Sequence, residues 1–536
     1  MDNWDTQAAW RYHRGTIHPN GNLMDPSHTY DNSMRPLLFK IYPGLEPIPL
    51  PLDKAPVGMP ALEAISQATW PDSTAGNKPG EQARVAQIFH EHSTVDLPVL
   101  ARILFFSAGV TRHIRYHDYG IIPFRAAACT GALYHIELYT VCGDLPGLEA
   151  GVYHFDASQN ALRRLRQGDY RPVLVAASGA HPALAQAPAI LICTDVFYRN
   201  AVKYQAREYR HAFWDSGTIL ANLLAMAAAH QLHAQLLLGF EDDPVNRLLD
   251  LDEQREATLA LVALGSGSSP DLGDQPEVVP LGLEVQPVAK NERFFPSIYA
   301  MHRASCLADQ RDVAAWRERA MQPAPEADEE INSEQVVPIH PLSEGELPED
   351  PIEKVISRRG STRRFTRDPI SFEQLSTLLA SSTRGISADF LKPFGARLDD
   401  IYLIVNAVDA LQPGTYVYHP SQGVLERLSA GAFRRQAGGL ALGQDLAADA
   451  SANIFFLADL ERVLERFGNR GYRAAQLEAS LIAGRMYLAA YAMRFGASGL
   501  TFYDDYVTDF FSPHAAPHAA GKSVMFLIAL GVPAKR

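Results

Sequence analysis

The sequence predicts an α+β protein in which one fold is written twice, with the two copies lying against each other. Three observations carry this. At 536 residues the chain exceeds what a single hydrophobic core usually supports. A stretch rich in Pro, Glu, Asp and Ser, from Pro323 to Asp350, lacks periodicity and divides the chain as a linker would. On either side of it, segments recur in the same order, the signature of an internal repeat.

The matches run as follows. Asp96 to Thr111 is an apolar helical run, answered by a helix that starts near Ser371 and ends around Ser382 to Ser387. The β-type run Ile136 to Val141 is answered by Ile401 to Val405. Pro146 to Phe155 is answered by Gln412 to His419, each a turn beside a Tyr/Val-rich strand. Arg207-Glu208-Tyr209-Arg210 opens an Ala/Leu-rich helix running to about Gln231, and Arg470-Gly471-Tyr472-Arg473 opens its partner, running to about Phe495. Both are apolar almost all round, as a central helix must be. Gly239 to Asp243 then matches Thr501 to Asp505, and Leu259 to Gly265 matches Val524 to Gly531. The expected organisation is an arm (1–80) wrapping the first copy, repeat 1 (81–290), a helix and acidic linker (291–350), and repeat 2 (351–536). Phe294 to Arg319 reads as one helix packed back on the first half.

Hydrophobic content of 47% and charged content of 20% are those of an ordinary globular protein. The formal charge of −13 speaks against a nucleic-acid partner, which would require basic stripes. Cys129, Cys142, Cys193 and Cys306 show no metal-ligand spacing and read as reduced thiols of a cytoplasmic protein, with no metal expected. The opening residues Met1 to Asp5 lack a basic region and an apolar core, so no secretory signal is expected, and no uninterrupted apolar run suggests a membrane span.

The chemistry concentrates after the helix-like run Pro351 to Ile356. Arg358 and Arg359, then Gly360, Ser361 and Thr362, then Arg363 and Arg364 combine forked cationic donors, hydroxyls and a glycine. That set suits a dianionic phosphate, although such a basic run is as often a solvated face. The segment resembles the FMN-phosphate motif of the nitroreductase superfamily, R-x-S-x-(R/K)-x-F, at Arg359, Ser361, Arg363 and Phe365. With the repeated order of elements, the whole chain resembles that superfamily's SagB/ThcOx-type dehydrogenase branch, whose opening Tyr12 to His18 also resembles. The resemblance implies a nitroreductase-like FMN fold present twice, forming an intramolecular pseudo-dimer with flavin held between the halves.

Within that resemblance the halves have diverged in complementary ways. Arg84 to Phe89 stands opposite the phosphate motif without its serine or second arginine. The first half instead carries Arg125-Ala126-Ala127-Ala128-Cys129-Thr130-Gly131-Ala132-Leu133-Tyr134, similar to the family's flavin-facing R-x-x-P-S-x-G-A-L-Y segment, while Lys392 to Arg397 in the second half is eroded. The resemblance therefore implies one FMN per chain. Its binding residues would be Arg359, Gly360, Ser361 and Arg363 for the phosphate, with Arg125, Ala128, Cys129, Thr130 and Gly131 from the other half. Leu500 and Thr501 would meet the ring edge, and Lys535 and Arg536 the phosphate, a frayed tail being the plainer reading of the last two. Cys129 reads as a small buried substitute for serine rather than a redox thiol.

The branch's azoline-oxidising members carry a catalytic Lys-Tyr pair, and Lys203-Tyr204 stands at that position; Arg466-Phe467 replaces it in the second half. Without the resemblance, a surface lysine and a packing tyrosine would be the simpler reading. The expected activity is FMN-dependent oxidation of an azoline or other small heterocycle on a peptide or natural product. Alternatives are a nitroreductase-like reductase fed by NAD(P)H, and a non-catalytic peptide-binding scaffold. No G-x-G-x-x-G follows a strand, so nicotinamide would visit as a transient electron donor.

Overall fold

The computed structural model describes residues 2–31, 34–67, 94–116, 120–267, 274–322, 335–516 and 521–535. The first half supplies β1 (Pro47–Pro49), β2 (Val110–Tyr116), β3 (Gly120–Arg125), β4 (Ile136–Cys142), β5 (Gly151–Asp156), β6 (Ala161–Gln167), β7 (Ala189–Val196), β8 (Ala234–Leu237) and β9 (Glu256–Leu264). The second supplies β10 (Val336–Pro338), β11 (Ile370–Ser371), β12 (Asp399–Val405), β13 (Val408–Asp409), β14 (Gly414–His419), β15 (Val424–Ala430), β16 (Ala452–Ala458), β17 (Gly496–Gly499) and β18 (Ser523–Gly531).

Two seven-stranded sheets result, ordered β1-β6-β5-β4-β7-β9-β8 and β10-β15-β14-β12-β16-β18-β17. Neighbouring strands within them are antiparallel. Position by position the two orders coincide, so one α+β fold occurs twice. β4, β7, β9 and β16 are buried at every residue, which is why they read as continuous apolar runs and not as alternating ones. β2 and β3 form a separate ribbon.

The two central helices, Glu208–Ala229 and Arg470–Ala492, cross where small residues allow close approach. A Cβ on Gly217 would lie 1.9 Å from Ser480 Oγ, and one on Gly484 would lie 2.6 Å from Ala221 Cβ. Trp214 Nε1 donates to Gln476 Oε1 across the crossing (2.6 Å). The helical stretch Phe197–Ala229 has the length and apolarity of a membrane span, contrary to expectation, but its apolar window is wholly buried inside the protein. A core helix between two sheets meets the same compositional test.

At the start of each central helix an Arg-x-x-Arg pair crosses to the other half. Arg207 Nη1 donates to Asp504 Oδ2 (3.0 Å) and Arg210 Nη1 bonds Asp504 Oδ1. Arg470 Nη1 donates to Asp242 Oδ2 (2.6 Å) and Arg473 Nη1 to Asp242 Oδ1 (2.9 Å). All six side chains are buried. Each aspartate opens a short helix, Asp242–Leu248 or Asp504–Phe511, whose N-terminal partial charge further favours the carboxylate. The expected turns at 239–243 and 501–505 thus lead directly into helices.

The described parts of the expected arm match the described parts of the expected helix and linker segment, residue for residue in several places. The helix Gln7–Gly15 does not wrap the first copy alone: Tyr12 is buried, edge-on to Tyr209 of the first half and Tyr472 of the second. Phe294 to Arg319 forms two helices, Pro296–Ala304 and Gln310–Met321, and packs on both halves rather than the first alone. Arg210 donates to His13 O (2.8 Å) and Thr16 Oγ1 (3.1 Å), while Arg473 donates to His302 O (2.9 Å) and Ser305 Oγ (2.8 Å). Tyr12-His13-Arg14-Gly15-Thr16 is therefore the counterpart of Met301-His302-Arg303-Ala304-Ser305. β1 and β10, each ending in proline, then occupy equivalent sheet edges, where a missing N–H is tolerated. The helices Ala61–Ser66 and Ile352–Arg358 meet face to face, with Ala61 N donating to Asp350 O (3.0 Å) and Ile352 N to Met59 O (3.1 Å). This last match sets Gln67 opposite Arg358. Arg84 to Phe89, and the 80/81 boundary, lie outside the described residues.

Asp242 is pushed up by burial, but Arg470 and then Arg473 outweigh this and hold its pKa down to about 2. A depressed carboxylate pKa adds stability that is complete above its ordinary value of 3.8 and is lost as pH falls through about 2. Asp242→Ala leaves two buried guanidinium groups without their anion and is expected to cost about 3–5 kcal/mol in denaturant unfolding. The variant's stability should also fall less steeply than the wild type's on acidification from about pH 4 to pH 2; equal acid sensitivity of both proteins would refute the clamp.

Candidate functional site between the halves

The segment Arg359 to Phe365 leaves the helix Ile352–Arg358 and runs along the free edge of β17, where Thr362 N donates to Ala497 O (2.9 Å). Opposite it lies the first half's loop from β3 to β4. Arg359 is buried and donates through Nε (3.0 Å) and Nη2 (2.8 Å) to Ala126 O. Arg112 of β2 returns a bond to Arg359 O (2.9 Å). These donors of Arg359 are spent on joining the halves. Gly360 sits among Arg112 and Tyr491; a Cβ there would lie 3.4 Å from Arg112 Nη2. Ser361 Oγ lies 3.3 Å from Tyr487 OH. Arg363 is exposed.

The same β17 edge continues into Leu500 and Thr501. Leu500 N is bonded to Leu527 O (3.0 Å), whereas Thr501 Oγ1 is buried with no partner among the described residues. The C-terminal strand returns beside the arginine segment: Phe365 bridges Pro533, and Ala534 N donates to Arg364 O (2.9 Å). Lys535 follows, exposed; Arg536 lies outside the described residues.

On the first half's side, Gly131 has φ +64°, a left-handed conformation that favours glycine. A Cβ there would lie 2.8 Å from Tyr204 OH, so the tyrosine ring covers the loop. Lys203 and Tyr204 end the helix Phe197–Tyr204, with Lys203 Nζ 5.0 Å from the Tyr204 ring centre. Ala128 O accepts from Thr218 Oγ1 (2.7 Å). Arg125 is built into the wall: it is buried, donates to Leu38 O (2.7 Å), and lies over the Phe39 and Tyr134 rings.

The loop is held from below by Asp215, which accepts from Thr130 N (2.9 Å), Thr130 Oγ1 (2.9 Å) and Cys129 Sγ (3.0 Å). His135 joins Asp215 (2.8 Å) to Asp195 (2.7 Å), and Glu208 lies 3.3 Å from the same imidazole. Cys129, His135 and Asp215 come within 4.8 Å of one another, close enough to share an ion, but both ring nitrogens are already engaged by carboxylates. Sequence reasoning missed Asp215, Asp195 and Glu208. Asp215 carried a signal, being a carboxylate inside the largely apolar helix that Glu208 opens.

Electrostatics separate the roles. Burial, then the charge of Arg363, pushes the Lys203 ammonium below its ordinary 10.5. Burial, then Asp215 and Cys129, pushes the Tyr204 phenol up, so it stays protonated. Burial, then Asp215, also raises the Cys129 thiol, which keeps its proton and donates it to the carboxylate. His135 is held well above its ordinary value: burial opposes its charge, but Asp195 and the other carboxylates outweigh that.

The Nitroreductase family model matches residues 131–266 and 356–531, once in each half. The chain belongs to the nitroreductase family, in a tandem form. A Methanocaldococcus jannaschii protein assigned to the nitroreductases is 26% identical over 144 residues, 26% of this chain and 73% of that protein. The trifolitoxin-processing protein TfxB of Rhizobium leguminosarum bv. trifolii is 28% identical over 171 residues, 31% of this chain but only 46% of TfxB's length. A crystal structure from Anabaena variabilis, of a protein assigned to the nitroreductases, shares the fold over 98% of this chain and 99% of its own, at 24% identity and a TM-score of 0.72.

Gly131→Ala forces a side chain into the left-handed region, costing about 1–2 kcal/mol, and presses on the Tyr204 hydroxyl. In a double-mutant cycle the substitution is expected to cost less in a Tyr204→Ala background, by about 0.5–3 kcal/mol. Strict additivity would show that Tyr204 does not cover the loop.

Proposed function

We propose that the chain is an FMN-dependent dehydrogenase of the SagB type, oxidising an azoline or other small heterocycle borne on a peptide or natural product, with one FMN per chain between the halves. The observation that carries this is that Arg359, at the head of the second half's arginine segment, donates to Ala126 O of the first half's loop (3.0 and 2.8 Å), so the two complementary motifs lie side by side. The residues present fit the cofactor. Thr501 offers a buried hydroxyl, without a partner among the described residues, beside a sheet edge. Gly131 leaves no room for a side chain between the loop and Tyr204. Arg363, Arg364 and Lys535 are exposed cations along one segment and the strand end beside it, suited to a phosphate. The name of TfxB, a peptide-toxin processing protein, supports a peptide-borne substrate.

FMN, when bound, supplies a ring that takes up a hydride. The chain's part is proton handling and positioning. Lys203, whose pKa is depressed, gives up its proton more readily than an ordinary lysine and, once neutral, would take the substrate's C–H or N–H proton. Tyr204, held protonated, has its hydroxyl over the Gly131 loop, where it can donate to and orient a bound substrate. Asp215 keeps that loop rigid by collecting its amide, hydroxyl and thiol donors.

Lys203→Met is expected to retain flavin while lowering kcat/KM for azoline oxidation by about 10²–10⁴-fold. The wild-type rate should climb with pH along a limb centred below 10.5, as the ammonium loses its proton, and the variant should lack that limb. A variant that keeps both the rate and the limb would remove Lys203 from the chemistry.

A further inference from the structure

The repeat creates a second cleft, related to the first by the same pseudo-twofold relation. β8 corresponds to β17, and its edge is lined by residues 387–389 of the second half, where β17's edge is lined by the phosphate motif. Leu236 N donates to Ser387 O (2.9 Å) and Asp389 N to Leu236 O (3.0 Å). The Asp389 carboxylate then accepts from Leu238 N (2.9 Å) and Gly239 N (2.7 Å). Leu238 and Gly239 are the counterparts of Leu500 and Thr501, since the arginine-stacked Phe240 and Phe502 follow in each half, and then the clamp aspartates.

The space is filled as well as the donors. A Cβ on Gly239 would lie 2.6 Å from Trp316 Cδ1 and 2.8 Å from Asp389 Oδ2. Trp316 is fully buried and packs on Phe467, ring centres 4.7 Å apart; Phe467 stands where Tyr204 stands in the first cleft. Trp316 belongs to the helix Gln310–Met321. At the equivalent place in the first half, residues 25–31 are non-helical, with Asp25 N bonded to Gln205 Oε1 (2.7 Å) beside Tyr204.

We propose that Asp389, through its bond to Gly239 N, and Trp316 take, in this second cleft, the donor and the volume that a flavin ring takes beside Thr501 in the first, so that the chain seals one of its two cofactor clefts with its own side chains. This rests on the flavin reading of the first cleft. The Asp389 carboxylate holds both Leu238 N and Gly239 N in charge-assisted bonds, whereas in the first cleft Leu500 N is bonded to Leu527 O, so the amide at the Gly239 position is the one a ring's carbonyl edge would meet. Being part of the chain, the carboxylate gives up no translational freedom in doing so, and a free flavin must compete against it at that disadvantage.

FMN-saturated wild type and an Asp389→Ala/Trp316→Ala double variant are titrated with riboflavin, which has the ring but no phosphate. The wild type is expected to hold one FMN and leave riboflavin fluorescence unquenched. The double variant should quench about one further equivalent, at least about tenfold more tightly than wild type. Two flavins in the wild type, or a folded double variant that takes no riboflavin, overturns the proposal. Should the double variant fail to fold, Asp389→Asn is followed by hydrogen exchange. The Leu238 and Gly239 amides should be protected in the wild type with or without FMN and exchange about tenfold faster in the variant; unprotected amides in the wild type overturn the seal. A wild type that binds no flavin refutes the functional reading instead, and the exchange measurement still decides the seal.

Discussion

The two buried arginine–aspartate clamps are the constraint on which the rest of the architecture depends. Each joins three parts of the chain: the start of one central helix, an N-terminal helix of the same half, and a helix-opening aspartate of the other half. Burying such charges is costly unless every oxygen finds a donor, and here the carboxylates also collect His18 N and Leu307 N. A satisfied clamp at both ends of the crossing leaves little freedom for one half to slide on the other. The clefts between them inherit that fixed geometry.

Within this symmetric frame the two clefts have gone separate ways. In one, the Arg359 guanidinium lies between the β17-edge segment and the Ala126 carbonyl, and Asp215 draws the Gly131 loop down around its carboxylate. In the other, the corresponding stretch of the second half runs directly along β8 and turns a carboxylate onto its amides. Both are locally satisfied solutions to the same problem, a sheet edge with free backbone donors. A small set of side chains distinguishes the two edges: Arg359, Asp389, Trp316, and the Tyr204/Phe467 pair.

Much of the doubling was legible in the chain. The Arg-x-x-Arg openings, the all-apolar helices and the Leu/Val-rich terminal strands announce themselves because burial imposes composition over many consecutive residues. The repeat's N-terminal portions were not read. Tyr12 to Thr16 and Met301 to Ser305 match over only a few residues, and β1 and β10 are three-residue edge strands with proline. Short elements whose order comes from contacts with distant segments carry little periodicity of their own. The candidate site was legible where a linear motif exists, at Arg359 to Phe365 and Cys129 to Gly131, and opaque at Asp215, Asp195 and Glu208, which are scattered in sequence and meet only around His135.

The sequence by itself determined that the chain is doubled, that its centre is helical and apolar, and which half carries the arginine motif and which the lysine–tyrosine pair. Tertiary structure alone decided that the Tyr204 ring covers Gly131, that Arg359 spends its donors on Ala126, and that Asp389 closes the opposite edge. The reason is physical: composition and period report how deeply a segment is buried, whereas a hydrogen bond between residues hundreds of positions apart depends on the packing of everything between them.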